Sequence, residues 1–287
     1  MSRLKPSLTG RSSMSGRLAG KVAIVTGGGS GLGRAIALAY AAEGASVVVA
    51  SVVAAADEGA VSEIEALGGN AFAFPADVRN QAELEGLVAA AVGSYGRLDV
   101  FVAAAGIDVR RSPVREDRYL GRLEPEDWDT VIATNLTGTF LSARAALPSL
   151  AETHGSFIAF TSGTVRHPAP GLGAYVASKA GIEGMVSVLA LEATGDRVRV
   201  NLLQPGGVTD TGFFGPEVPT ERRAAMHRPS VIGPCAVFLA SDASVEVTGA
   251  SFDAAAWNGE QGIDPCGCPG CASRSGGEPP ETAAYRL

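Results

Sequence analysis

The sequence predicts an α/β protein: a doubly wound, seven-stranded parallel sheet with helices on both faces, built as one domain. Three observations predict it. From Lys21 onward, short and mostly apolar runs alternate with longer Ala-rich amphipathic stretches, the pattern of repeated βαβ units. A glycine-rich turn joins the first apolar run to the first helical stretch. With 287 residues, 46% of them hydrophobic, the chain can also bury a large core.

The elements follow in order. Val22 to Thr26 is short, apolar and partly β-branched, as a strand buried on both faces should be, and a helix over 31–43 follows its glycine turn. Ser46 to Ser51 repeats the strand pattern before a helix over 55–67, and Ala71 to Pro75 before one over 80–95. Leu98 to Ala103 leads to a long helical stretch over 125–151, and Ser156 to Thr161 to another over 174–194. Val198 to Leu203, a helix over 229–240 and Ala250 to Asp253 complete seven strands with crossovers long enough for parallel pairing. Two segments break the rhythm. Ile107 to Leu123 carries Arg110, Arg111, Arg115, Arg118 and Arg122 among acids and reads as a self-paired solvated loop, while residues 257–287 read as a Gly/Pro/Cys-containing tail. Residues 1–19, with Arg3, Lys5, Arg11 and Arg17 and no acid, read as a flexible basic segment lacking the apolar stretch of a secretory signal, which leaves 20–256 as the dinucleotide-binding catalytic domain.

Charge and cysteine usage exclude several classes of function. Twenty-three basic against thirty acidic residues leave a net charge of −7, the wrong sign for gripping nucleic acid. An uncharged run such as Ala45 to Ala56 has only twelve residues, short of the ~20 a membrane span needs, so no membrane partner is expected. Cys235 stands alone, and Cys266, Cys268 and Cys271 cluster in the tail without a histidine, so neither a disulfide framework nor a four-ligand metal site is expected. A cytoplasmic location fits best.

The chemistry-bearing motifs begin at Thr26-Gly27-Gly28-Gly29-Ser30-Gly31-Leu32-Gly33, where backbone N–H groups at a helix start can meet a pyrophosphate; alone, such a turn often only packs a helix on a strand. Asp77, in Pro75-Ala76-Asp77-Val78, is either an acceptor for an adenine amino group or a helix N-cap. Tyr175 and Lys179 are four apart at the start of a helix, so they share one face, and an ammonium there stabilises a phenolate. A free phenol near pKa ~10 is a poor base at neutral pH, so the lysine and a positively charged oxidised nicotinamide are needed to lower it. Ser162, thirteen residues before Tyr175 at the end of the fifth strand, is placed to hydrogen-bond a substrate oxygen beside that tyrosine.

On these residues the stretch 18–256 resembles the short-chain dehydrogenase/reductase family, whose fold is a single Rossmann domain. The resemblance implies a tetrad of Asn135, Ser162, Tyr175 and Lys179, with Tyr175 as acid/base, Ser162 orienting the carbonyl or alcohol, Lys179 on the nicotinamide ribose, and Asn135 holding a relay water. It implies that Gly27, Gly29, Ser30, Gly31, Leu32 and Gly33 hold the dinucleotide and that Asp77 and Val78 meet the adenine. Ala104 and Gly106 would flank the adenosine ribose, and Pro205, Gly206 and Val208 would close over the nicotinamide. The family's carboxamide-binding threonine falls on Asp210, so Thr209 and Thr211, on either side, both remain candidates.

Two departures stand out. Ala103-Ala104-Ala105-Gly106 replaces the family's Asn-Asn-Ala-Gly, removing side-chain amides that brace neighbouring strands, which implies a loss of about 1 kcal/mol. Ser51 stands where an NAD-selecting acid is usual, with Asp57 too far along the chain to replace it. No phosphate-binding basic residue follows Ser51, and Ser30 stands where NADP-preferring relatives carry Arg or Lys, so NAD is favoured over NADP. The function expected is hydride transfer between NAD(P)(H) and a secondary alcohol or ketone; the alternative is a non-catalytic NAD(P)-binding sensor or scaffold of the same fold. Phe213, Phe214, Val165 and Trp257 are candidates for an apolar substrate pocket or for loop anchors, and His167, before Pro168, reads as a turn residue. The resemblance also implies a homo-oligomer, a dimer or tetramer, through the helices over 125–151 and 174–194, with Met185, Val186, Val188 and Leu189 as apolar contacts that would be ordinary core in a monomer.

Overall fold

The computed structural model describes residues 16–109, 115–213, 218–264 and 284–286. Its centre is a sheet of seven parallel strands: β1 (Val22–Thr26), β2 (Ser46–Ser51), β3 (Asn70–Pro75), β4 (Val100–Ala103), β5 (Ser156–Phe160), β6 (Arg199–Gln204) and β7 (Ala250–Asp253). They stand in the order β3-β2-β1-β4-β5-β6-β7, and β8 (Ala284–Arg286) adds an antiparallel strand beside β7. The seven parallel strands are those the sequence predicts; the antiparallel β8, from the tail, is an addition only three residues long, too short for a period to show.

Alternation along each strand divides the core in two. Ala23 and Val25 of β1 face one layer, built by α1 (Gly31–Ala42), α2 (Ala54–Ala66) and α8 (Gly233–Ala240), while Val22 and Ile24 face the other, built by α3 (Gln81–Tyr95), α5 (Gly138–Thr153) and α6 (Gly173–Glu192). All five side chains of β1 are buried, which is why its sequence shows no polar alternation. Because β2 and β4 flank β1 on opposite sides, the chain reverses direction across the sheet there, opening a crevice beyond the carboxyl ends of β1 and β4.

Three other elements differ from expectation. The stretch over 125–151 is not one helix: α4 (Pro125–Ile132) and α5 are joined by a π-helical turn over Ala133–Thr137. The stretch over 229–240 begins as a 3-10 turn, Pro229–Ile232, before α8, and a five-residue helix α7 (Thr220–Ala224) lies ahead of it. Helix α9 (Ala254–Glu260) runs through the boundary expected at residue 256, and its half-buried Trp257 stacks on Phe238 at 5.2 Å, the packing role that was one of its two expected readings. Val186 is likewise core, while Val188 is exposed. Helix α6 is long and apolar enough to cross a membrane by length and composition, although no uncharged run suggested it; Lys179 and Glu183 lie within it, and its buried face packs on the sheet.

Candidate active site

The turn between β1 and α1 is shaped by close approaches that only glycine permits. A Cβ on Gly33 would collide with the Gly27 carbonyl, and one on Gly29 would collide with the Asp57 carboxylate and the start of α2. Ser30 is the N-cap of the twelve-residue α1 but makes no side-chain cap bond, and the first turn holds no acid, so N–H groups and the positive end of the helix dipole are available to an anion. Thr211 lies opposite this helix start, its side chain 3.4 Å from where a Cβ of Gly31 would stand. This cradle fits a dinucleotide pyrophosphate.

Beside it, the loop after β4 is braced despite its alanines. The Thr26 hydroxyl donates to the Val102 carbonyl at 3.3 Å and accepts from the Ala105 N–H at 3.4 Å, linking β1 to the Ala104–Gly106 loop. A threonine thus supplies part of the bracing that the missing amides removed.

The π-helical turn positions Asn135. Its extra residue swings the side chain inward, where it is fully buried, accepts from the Ile107 N–H at 2.8 Å, and donates to the Ile107 carbonyl at 2.9 Å and to Ser178 Oγ at 3.0 Å. Asn135 therefore clamps the β4 loop onto α6. Gly106 sits between them, its absent Cβ position 3.4 Å from Asn135 Oδ1 and 3.7 Å from Lys179 Nζ. Asn135→Ala is expected to leave the Ile107 N–H and C=O without their partners and to lower stability by about 2–3 kcal/mol in urea denaturation, more than the ~1 kcal/mol typical of a single substitution.

Helix α6 carries Tyr175, Ser178 and Lys179 on the side facing β5. Lys179 is buried, and Nζ donates to the Phe160 carbonyl at 2.9 Å while standing 5.7 Å from the centre of the Tyr175 ring. Burial lowers its pKa to about 8. Ser162 follows β5 and caps a 3-10 turn, Gly163–Val165, accepting from the Thr164 N–H and from Thr164 Oγ1 at 2.9 Å. Burial holds the Tyr175 phenol above its ordinary pKa; a hydrogen bond with Ser162 acts against this, and the negative charge of Asp108 adds to it. In the protein alone, burial thus outweighs the lowering expected from Lys179. Phe213 packs on the other face of the site, its ring 5.5 Å from that of Tyr175.

The remaining expected cofactor contacts separate into those that face the crevice and those already engaged. Asp77 is bound by Arg79, which donates Nε to both carboxylate oxygens at 3.0 Å and keeps the carboxyl below its usual range. The N-cap of α3 is Asn80, not Asp77. Val78 is buried against Gly138. After β6, Pro205 leads into Gly206, whose φ of 86° suits the turn there. Val208 is exposed, with its carbonyl accepting from the His227 N–H at 2.9 Å. Thr209 is buried and donates to the Gly207 carbonyl, and Asp210 is paired with Arg223 at 2.6 Å, so of the three only Thr211 faces the glycine turn.

Two participants escaped the linear pattern. Asp57 lies six residues past the end of β2, yet α2 turns it back so that Ser51 Oγ donates to both its carboxylate oxygens, at 2.8 and 2.9 Å. Asp57 therefore reaches Ser51 itself, while its 1% exposure leaves it no direct path into the crevice. Asp108, close enough to Tyr175 to influence its ionisation, lies in the Arg-rich excursion. Arg110, Arg111, Phe214 and the cluster Cys266, Cys268 and Cys271 lie outside the described residues.

The model of the short chain dehydrogenase family matches residues 21–222. The chain is 36% identical over 244 residues to a 2,5-dichloro-2,5-cyclohexadiene-1,4-diol dehydrogenase of Sphingobium indicum, covering 82% of this chain and 95% of that one. It is 39% identical over 256 residues to a D-threitol dehydrogenase of Mycolicibacterium smegmatis, covering 82% and 92%. Among solved structures it is similar to a short-chain type dehydrogenase/reductase from Mycobacterium marinum, with a TM-score of 0.71, 29% identity, and 80% and 92% of the two chains covered.

Proposed function

The chain belongs to the short-chain dehydrogenase/reductase family, an NAD(P)-dependent oxidoreductase acting on CH–OH groups, and on that premise we propose that it interconverts a secondary alcohol and its ketone using NAD, with Tyr175 as the acid/base. The observation that carries this reading is the placement of Tyr175 and Lys179 one helical turn apart on α6, beside Ser162 and behind Asn135. When bound, the nicotinamide supplies or accepts the hydride.

The protein's own part is to hold the reacting oxygen and to move one proton. In alcohol oxidation, Ser162 orients the hydroxyl and Tyr175 Oη, as phenolate, takes its proton; in ketone reduction the same oxygen returns it. Burial alone disfavours the phenolate, so the ammonium of Lys179 and the charge of the oxidised cofactor are what make Tyr175 a base in the working complex. Asn135 fixes the β4 loop and α6 relative to each other, and with them the position of Lys179 beside Gly106. Phe213 gives the site an apolar side chain against the tyrosine ring. The exposed Phe140 on α5 and Val188 and Leu191 on α6 support a homo-oligomer joined through these helices, and the cysteine pattern supports a cytoplasmic location.

The names of two similar enzymes direct the first substrate screen to cyclic diols and tetritols. Incubation of the protein with these alcohols and either NAD or NADP is expected to produce reduced nucleotide with NAD for at least one secondary alcohol. Reduction of NADP alone, or no turnover of any alcohol or ketone by a protein that binds the nucleotide, would overturn the proposal.

A further inference from the structure

We propose that Ser51 and the buried Asp57 act as a pair that selects NAD against NADP by making the Ser51 hydroxyl an acceptor only. The inference rests on the nucleotide-binding reading above and concerns which adenosine ribose the crevice takes. A serine hydroxyl has one proton to donate and two lone pairs. The proton is committed, because Ser51 Oγ lies 2.8 and 2.9 Å from the two oxygens of Asp57, and an ionised carboxylate can only accept. One lone pair is used by the Val53 N–H at 3.0 Å. What remains is a single lone pair, on a half-buried residue at the carboxyl end of β2, next to the glycine turn.

A ribose hydroxyl can donate to that lone pair. A 2′-phosphate dianion has no proton to offer; it would meet an acceptor with the negative charge of Asp57 behind it. Among the described residues, the cations of this neighbourhood are already paired: Arg34 on α1 with Glu63 on α2, and Arg79, three residues past the Ala76 N–H that donates to the Ser51 carbonyl, with Asp77; Val52 and Val53, which follow Ser51, are exposed and apolar. Asp57 is itself held firmly. It is 1% exposed, it sits in the first turn of α2 where the helix dipole favours an acid, and Gly29 of the cofactor turn packs against its carboxylate. Burial raises its pKa and the bonds from Ser51 act against that rise. With almost no exposure it reaches a nucleotide only through Ser51, so Asp57 is a positioning residue and Ser51 the one that makes contact.

The test is a fluorescence titration of wild type, Asp57→Asn and Ser51→Ala with NADH and, separately, NADPH, which needs no substrate. Wild type is expected to prefer NADH. Asp57→Asn, whose amide can donate to Ser51 and free the serine proton while removing the charge, is expected to reduce that preference by about tenfold, mainly by tighter NADPH binding. Ser51→Ala should reduce it by weakening NADH binding, and Ser51→Asp, which presents a carboxylate directly, should restore it. A preference for NADH unchanged in Asp57→Asn and in Ser51→Ala overturns the pair and leaves the proposed function intact; a wild type that prefers NADPH overturns the pair and the choice of NAD but not the oxidoreductase reading; failure of wild type to bind either nucleotide overturns all three. Should Asp57→Asn not fold, as judged by far-UV circular dichroism, Ser51→Ala at its half-buried position decides the matter.

Discussion

Tyr175→Phe is expected to lower kcat by about 10²–10⁴-fold while leaving nucleotide affinity and folding stability close to those of wild type. The substitution removes one oxygen and nothing else from the site. The ring that packs 5.5 Å from Phe213 and 5.7 Å from Lys179 Nζ stays in place, so the walls of the pocket and the buried ammonium keep their neighbours. What is lost is the oxygen proposed to exchange a proton with the alcohol. Steady-state rates with any accepted alcohol, measured beside an NADH titration of the same preparations, separate the two effects. A variant that turns over within a few-fold of wild type would move the acid/base role to another residue.

The second large effect has opposite signs for stability and for catalysis. Lys179→Met is expected to stabilise the unliganded protein at pH 7 by about 1–3 kcal/mol while abolishing measurable turnover. Lys179 is 4% exposed and its folded pKa is depressed to about 8 by burial from an ordinary value of 10.5, so the folded state holds its proton less tightly than the unfolded chain does. Between these values the unfolded chain binds more protons, and the stability of wild type should rise as the pH climbs from about 8 through 10.5. Below about 8 the full cost of the buried charge is present, offset in part by the bond from Nζ to the Phe160 carbonyl. Methionine fills similar space without the charge. Urea denaturation of both proteins across this range should show the advantage of the variant shrinking as pH rises. A variant less stable than wild type at pH 7 would mean that the bond to Phe160 outweighs the burial. Such a result would show that the ammonium is held for structure, whereas the expected one shows stability given up to keep a charge beside Tyr175.

Strands β1, β2, β4 and β5 were legible because they are buried almost throughout and read as short, mostly apolar runs, whereas β3 is half-buried at the sheet edge and β6 carries the buried Arg199 and Asn201 among its apolar residues. The glycine turn, Tyr175, Lys179 and Ser162 were legible because each depends on local spacing. What the linear pattern did not reveal depends on contacts distant in the fold or on local backbone irregularity. The π-helical turn at Ala133–Thr137 has the same apolar content as the helices it joins, so nothing in the periodicity marks the extra residue that buries Asn135. The contact of Asp57 with Ser51 is hidden by their separation of six residues, because it is the first turn of α2 that brings the carboxylate back to the serine. Trp257 carries an aromatic signal that suits a pocket and a core equally, and only the fold shows its stacking on Phe238. The hold of Thr26 on the loop after β4 was likewise invisible in the sequence, because it is made across two strands 79 residues apart.

The most direct test of the account is the ionisation of Tyr175 itself, followed by nuclear magnetic resonance of ring-labelled tyrosine and assigned by comparison with Tyr175→Phe. In the free protein its phenol should titrate above the ordinary tyrosine range, as burial beside Asp108 requires, and on addition of NAD it should fall well below that range. A resonance that titrates identically with and without the nucleotide would contradict the claim that Tyr175 is the acid/base of this protein.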